Sequence, residues 1–125
     1  MVAGCGAAEP QPLIFNEPAW RNGEISDYQV TDRTGRRAGT ALVTVISGNE
    51  ENPGGWTLHR EISAGQTEVA TVHMGAQGFR PVKSYLTRVD GNGTQIVEAV
   101  IDRSQVDITL TSRGGVTTYE RVSVP

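Results

Sequence analysis

The two histidines, His59 and His73, are the residues of this chain best suited to acid–base or metal chemistry. A hairpin that turns at residues 64–66 pairs residues whose numbers sum to about 130, which sets His59 opposite Thr71 and His73 opposite Thr57. The two imidazoles are then about four residues out of register, which is too far apart for one metal ion, and no cysteine or cluster of acids completes a ligand set. A catalytic triad would also need a serine or cysteine beside a histidine that a carboxylate orients. The pattern therefore predicts solvent-facing histidines, with no catalytic site and no metal site.

Two carboxylates, Glu61 and Glu68, lie near the same turn. An acid–base pair of carboxylates would need one of them in an apolar pocket, where its pKa rises. The sequence around them is not apolar enough to indicate such a pocket, so we interpret both as solubilising charges at the edge of the hairpin. No pattern indicates a cofactor either, and the prediction is that the protein is not an enzyme.

A stronger candidate for ligand binding is the row Trp56, Leu58 and Arg60, which alternates with polar residues as in a strand with one buried face. Arg60 is the charged member of an otherwise apolar row. It could meet the acidic head of an apolar ligand, or it could pair with a glutamate or extend to solvent along its aliphatic stem. Phe79, which follows a glycine-containing break at residues 75–78, is the fourth candidate ligand-binding residue.

Short segments with strand-like patterns continue along the chain and are separated by turns rich in glycine and asparagine. The strongest hairpin signal is residues 90–93, Asp-Gly-Asn-Gly, because Asn and Gly tolerate the positive φ of tight turns. Residues 48–55 predict an open, mobile loop, and residues 94–102 predict a strand that is central or covered. The predicted strands are residues 25–32, 40–47, 56–62, 67–74, 82–90, 94–102, 105–112 and 116–124.

Connections this short join only antiparallel neighbours, so the eight predicted strands form a meander. Eight strands are about the number at which a sheet can close, and the sequence therefore predicts an all-β, up-and-down antiparallel fold that is a closed or strongly curled barrel. A sandwich would need a long crossover, and only residues 48–55 approach that length. Phe15 and Trp20 would plug one end of the barrel, in preference to forming an exposed binding surface.

Length and charge limit the functions open to the chain. Its 125 residues predict one domain, residues 20–125, after an N-terminal segment of residues 1–19. A net charge of −3 provides no basic surface for nucleic acid or for an anionic membrane. The basic turn at residues 33–37 could hold an anionic headgroup, but a solvated loop explains it more simply.

The N-terminus bears on location. Residues 2–5, Val-Ala-Gly-Cys, resemble the bacterial lipobox, in which a small residue precedes a cysteine that is lipidated and becomes the new N-terminus. Cys5 is the only cysteine, and residues 6–12 have the composition of a flexible tether. Only Met1 and Val2 precede Ala3, so either the sequence begins late or Cys5 is an incidental free thiol. The lipobox interpretation predicts an anchored protein on the extracytoplasmic side of the bacterial envelope, and a native N-terminus would predict a cytoplasmic one.

The run Gly-Phe-Arg-Pro-Val-Lys-Ser at residues 78–84, with Trp-Thr-Leu at 56–58 and Ala-Gly-Thr at 38–40 upstream, resembles uncharacterised bacterial envelope proteins of a β-barrel family of unknown function. The resemblance covers residues 20–125. It implies a lipid-anchored protein, which agrees with Cys5, and it brings no catalytic residues. Some members carry a further C-terminal segment without a counterpart here, which leaves open whether this barrel is complete.

Two functions follow as hypotheses. The first is a non-catalytic envelope lipoprotein that is structural or binds an envelope protein partner through its loops or an open strand edge such as residues 116–124. The second is a carrier that binds a lipid or another small apolar molecule in the barrel lumen. The sequence favours the first.

Overall fold

The computed structural model describes residues 20–124, and every regular element in this range is a β strand. The predicted all-β fold and its eight strands are confirmed. The strands are β1 (Glu24–Thr31), β2 (Arg37–Ser47), β3 (Trp56–Ser63), β4 (Thr67–Met74), β5 (Pro81–Asp90), β6 (Gly93–Asp102), β7 (Gln105–Thr111) and β8 (Thr117–Ser123).

The strands form a single antiparallel sheet in which spatial order follows chain order, from β1 to β8. The predicted meander is therefore confirmed. Each strand contacts only its neighbours in sequence, and β1 does not pair with β8. The described residues thus form the open version of the predicted meander and not the closed barrel, so the sheet has two free edges.

The hairpin between β3 and β4 shows how local sequence sets the register of the sheet. It turns at residues 64–66, where Gly65 has a φ of 75° that other residues rarely adopt. Its pairs run from Trp56 opposite Met74 to Ser63 opposite Thr67, which is the register that the sequence predicts.

Alternation along the strands divides the side chains between two faces. Residues paired across neighbouring strands share a face, so the registers define each face across the whole sheet. The apolar face carries Val43, Val45, Leu58, Ala70, Val72, Leu86, Val97, Ala99, Ile108 and Leu110. The polar face carries Thr44, Thr57, His59, Thr71, His73, Lys83, Tyr85, Glu98 and Thr109.

Full burial is confined to one part of the sheet, on β2 and β4 and in the loop that leads into β3. Val45, Gly55 and Met74 are the buried residues in the described range. The other apolar side chains that interior strands place on this face are half-buried, and Tyr28 and Val122 on the edge strands are exposed. A sheet normally buries its apolar face against a second layer, and no second layer is present among the described elements. β6 is central, as predicted, but its Ile96 and Val100 are 41% and 40% exposed on the polar face, so that face is not covered.

Candidate functional site

The structure places the four predicted ligand-binding residues in two clusters. Trp56 and Phe79 belong to one and Arg60 to the other, and Leu58 lies between them on β3. Trp56, Leu58 and Arg60 lie along β3 on the apolar face, as their alternation predicts. Phe79 lies in the loop between β4 and β5 with a φ of 49°. Trp20 joins Phe79 to Trp56, whereas Arg60 lies four residues further along β3, about 13 Å away at about 3.3 Å per residue. The structure therefore brings Trp56 and Phe79 together and leaves Arg60 in a separate cluster.

The cluster that contains Trp56 and Phe79 consists of Trp20, Trp56, Met74 and Phe79, and we call it the aromatic end. The Trp20 ring packs edge-to-face with Trp56, at a centroid distance of 6.2 Å, and with Phe79, at a centroid distance of 5.8 Å. Such edge-to-face contacts are a favoured packing geometry for aromatic side chains. Trp20 therefore packs onto one end of an open sheet, whereas the prediction was that it plugs the end of a barrel together with Phe15, which lies outside the described residues.

The loop at residues 48–55 supports the aromatic end from outside. The Asn49 side-chain Nδ2 donates to the carbonyl oxygens of Trp56 and Met74 at 2.9 and 3.1 Å, so one amide bridges the ends of β3 and β4. Its Oδ1 accepts from the Asn52 backbone N–H at 2.7 Å, and the Thr57 hydroxyl donates to the Gly48 carbonyl at 2.9 Å. The expectation of an open loop is wrong, because side-chain hydrogen bonds that composition does not reveal close it onto the sheet.

The cluster that contains Arg60 consists of Arg60, Glu68 and Arg88 on the apolar face of β3, β4 and β5, and we call it the arginine cluster. Arg60 Nη2 donates to Glu68 Oε1 at 2.8 Å. Arg88 donates through Nε and Nη2 to Glu68 Oε2 at 3.2 and 3.0 Å. Of the three interpretations of Arg60, the structure contains the pairing with a glutamate.

Glu68 corrects a sequence-based interpretation. Its side chain is only 16% exposed and lies between two guanidinium groups, so it is not a solubilising edge charge. Glu61, on the polar face, is 52% exposed and does fit that description. The signal that could have identified Glu68 was its parity, because it shares a face with Ala70, Val72 and Met74. Arg88 shares its face with Leu86 in the same way.

The arginine cluster carries a net positive charge within apolar surroundings. Two guanidinium groups and one carboxylate sum to a formal charge of +1. Arg60 pairs across the sheet with Ala70, and the same row continues through Leu86 and Val97. Arg60 Nε is buried and finds no hydrogen-bond acceptor in the described structure. The cluster therefore combines a net positive charge with a half-buried apolar row beside it.

The histidines lie on the polar face in the predicted pairs, His59 opposite Thr71 and His73 opposite Thr57. The ring nitrogens lie 3.0 Å from Thr71 Oγ1 and 3.2 Å from Thr57 Oγ1, respectively. The two histidines are diagonal neighbours that are two residues out of register, and not four as the sequence count gives. Even at this shorter separation, no group of three potential metal ligands forms within residues 20–124.

His59 also lies 3.3 Å from Glu61, which completes a threonine–histidine–carboxylate sequence of contacts. Acyl transfer at such a triad requires donors for the developing oxyanion. β4 is paired on both sides, so the backbone N–H groups around Thr71 belong to the ladders with β3 and β5. The backbone N–H groups around Thr71 are therefore not available as donors to an oxyanion at this position.

Charged pairs elsewhere on the polar face join neighbouring strands. Arg121 on β8 donates to Asp107 on β7 at 2.6 and 3.3 Å, and this hydrogen bond holds the pKa of the Asp107 carboxyl below its ordinary value. On β5, contacts with Tyr85 and then Glu51 raise the pKa of Lys83 above its ordinary value. Both shifts favour the charged forms of Asp107 and Lys83.

The free edge of β8 is the remaining candidate site. Every residue of β8 is exposed, and Tyr119 is 80% exposed. The Val116 carbonyl accepts from Ser112 N–H and Val124 N–H donates to the Ser104 carbonyl, so even-numbered residues direct their peptide groups toward β7. Because these directions alternate along a strand, the odd-numbered residues of β8 direct theirs outward.

No helix in the described range is long and apolar enough to cross a bilayer. No protein-family model, curated protein or solved structure matches this chain.

Proposed function

We propose that this domain is a non-catalytic interaction module of the bacterial cell envelope, which binds an extended segment of a protein partner along the free edge of β8. The observation that carries the proposal is the outer edge of β8, whose residues are exposed and which pairs with no other strand of the described sheet. An edge of this kind provides a row of backbone donors and acceptors that a partner strand can satisfy.

Proteins usually protect a free edge, and the two edges of this sheet differ in that respect. β1 carries a register irregularity between Val30 and Thr31 and two acids, Glu24 and Asp27. Irregular pairing and charge both hinder the addition of a further strand. β8 pairs regularly with β7 along its whole length, and its one acid, Glu120, is followed by Arg121. This contrast favours β8 as the edge that binds a partner.

The side chains of β8 give the edge a defined chemistry. Thr118 and Val122 lie on the apolar face, and Tyr119 lies on the polar face beside Arg121. Asp107 fixes the guanidinium of Arg121 with two hydrogen bonds, which orders the surface next to Tyr119. Backbone pairing would supply affinity, and the exposed aromatic ring would supply specificity for the partner side chain opposite it.

The envelope location rests on Cys5 and on the family resemblance, both from the sequence. Acyl chains at Cys5 would hold the module at a membrane surface, at roughly 0.8 kcal/mol per buried CH₂. Mass spectrometry of the protein made in a bacterium from its complete gene tests this part separately. We expect a diacylglyceryl adduct on Cys5 as the first residue, and an unmodified Cys5 with its preceding residues intact would exclude the anchor.

Site-specific photo-crosslinking in cells tests the edge itself. We expect Tyr119→p-benzoylphenylalanine to give one discrete crosslinked protein. The matched control is Ile96→p-benzoylphenylalanine, because Ile96 is 41% exposed on the same face but belongs to the interior strand β6. Tyr119→Pro should then prevent formation of the complex without unfolding the sheet, because its outward N–H takes no part in the β7–β8 ladder. Equal crosslinking from both positions, or none from position 119, would contradict the proposal.

A further inference from the structure

We propose that the apolar face of this sheet binds a single-chain anionic amphiphile of the fatty-acid class, with its carboxylate at the arginine cluster and its alkyl chain across β4, β5 and β6. This site lies on a different surface from the β8 edge and does not depend on the interaction proposed there. It also replaces the lumen of a closed barrel as the place where an apolar ligand would bind.

The charge of the arginine cluster defines the head of the ligand. Glu68 is shared between two guanidinium groups, and Asp90, two residues along β5 from Arg88, pairs with Arg113. The three arginines of this region therefore exceed its two carboxylates by one positive charge. The side chains of Arg60 and Arg88 are 42% and 35% exposed, so both are accessible to a molecule on this face. Guanidinium groups bind carboxylates through charge-assisted hydrogen bonds that are roughly twice as strong as neutral ones. The head that fits this cluster is therefore a single carboxylate.

The rows beside the arginine cluster define the tail. Ala70, Leu86 and Val97 lie in the row next to Arg88, and Val72, Ser84 and Ala99 form the row beyond. All of these side chains are half-buried, so an alkyl chain would cover apolar surface that the sheet leaves open to water. The distance along β5 from Arg88 to Val82 is about 20 Å. An extended alkyl chain fits along this path and ends near the aromatic end.

A free amphiphile fits this face better than a bilayer does. The chain as a whole carries −3, and the same face also presents Glu24 and Glu120 near its two edges. Attraction to an anionic membrane needs a surplus of several basic residues on one surface. On this face Glu68 and Asp90 pair with Arg60, Arg88 and Arg113, so the surplus is one charge. One positive cluster at one end of an apolar path matches a molecule with one charge and one tail.

Isothermal titration of the full chain with dodecanoate, and separately with methyl dodecanoate, tests the proposal. The ester has the same tail without the charge. We expect dodecanoate to bind at one site and the ester to bind about tenfold more weakly or worse, since a hydrogen bond to a charged group accounts for at least this ratio. Equal binding of both compounds, or no binding of dodecanoate, would overturn the proposal.

Two variants of the arginine cluster should change the affinity in opposite directions. Glu68→Gln raises the charge of the cluster from +1 to +2 and should strengthen dodecanoate binding about tenfold, whereas Arg88→Gln lowers it to zero and should weaken binding about tenfold. Neither should change the binding of methyl dodecanoate. The matched control is Arg121→Gln, which also breaks an arginine–carboxylate pair but lies on the opposite face.

If Glu68→Gln does not fold, the comparison of Arg88→Gln with Arg121→Gln still decides the question. Equal losses in these two variants would mean that dodecanoate responds only to net charge, and the proposed site would be wrong. Sedimentation without ligand provides a second decision. A stable dimer that fails to bind dodecanoate would also overturn the proposal.

Discussion

The aromatic end and the arginine cluster lie on the same face of the same sheet, yet they differ in how completely they are packed. The three buried residues of the described range, Val45, Gly55 and Met74, lie at or beside the aromatic end. There Trp20 and the loop at residues 48–55 cover the ends of the strands. Nothing described covers the arginine cluster, whose two arginines are more than a third exposed.

This difference in packing suggests that the aromatic end stabilises the fold, whereas the arginine cluster is available for binding. Burial at the aromatic end removes apolar surface from water and satisfies the strand ends with hydrogen bonds, and both effects stabilise the fold. In the arginine cluster both arginines are more than a third exposed, and loss of either one leaves the half-buried Glu68 paired with the other, so the effect on stability is small. We therefore expect substitutions at the aromatic end to unfold the sheet, and substitutions in the arginine cluster to change what it binds.

The largest effect should come from Gly55→Ala. Gly55 is buried, and a Cβ at this position would overlap the carbonyl oxygen of Met74. Backbone atoms cannot move aside as a flexible side chain does, so we expect a loss of about 3 kcal/mol in the free energy of unfolding. Urea denaturation measures it. Gly91→Ala is the control, because nothing lies within 4 Å of its Cβ and its backbone is not left-handed. A similar loss in both variants would mean that the aromatic end is packed no more tightly than the turn between β5 and β6, where Gly91 lies.

Asn49→Ala should have the next largest effect. It removes the amide that donates to Trp56 and Met74, and it leaves two partly buried carbonyl groups without that donor. We expect a loss of about 2 kcal/mol. Glu50→Ala in the same loop is the control, since Glu50 is exposed. If thermal unfolding shows no difference between the two variants, the loop does not stabilise the aromatic end.

Arg88→Gln should change the free energy of unfolding least, by about 1 kcal/mol or less. Glu68 keeps its hydrogen bond from Arg60 at 2.8 Å, so its carboxylate stays paired. The same urea experiment measures this value beside that of Asn49→Ala. A larger loss for Arg88→Gln than for Asn49→Ala would reverse the comparison and would give the arginine cluster a structural role.

Much of the fold could be predicted because its signals are local. Alternation between faces identified the strands, and the turn at residues 64–66 fixed the register of β3 against β4, since Gly65 supplies the positive φ. Short connections then required a meander. Whether the sheet closes depends on contacts between β1 and β8, which are distant in sequence, so the local pattern left the closed and open forms equally possible.

The candidate sites were less predictable because they depend on several strands at once. Arg60 was conspicuous within its own strand, but Arg88 lies two strands away and enters the cluster only through Glu68. Asn49 could not be identified by composition, since its role depends on the carbonyl groups of Trp56 and Met74, which lie on different strands. Trp20 and Phe79 meet for the same reason, through chain segments far apart in sequence.

The restriction of contacts to strands adjacent in sequence also determines how the chain can fold. Each hairpin closes a short loop, so the entropy lost at each step is small and no early pairing between distant segments is needed. Strand addition from one preformed hairpin is therefore a sufficient pathway, and proteins with such local contacts fold quickly for their length. We expect stopped-flow refolding to be faster than that of an all-β sandwich of similar size, whose sheets pair strands that are distant in sequence.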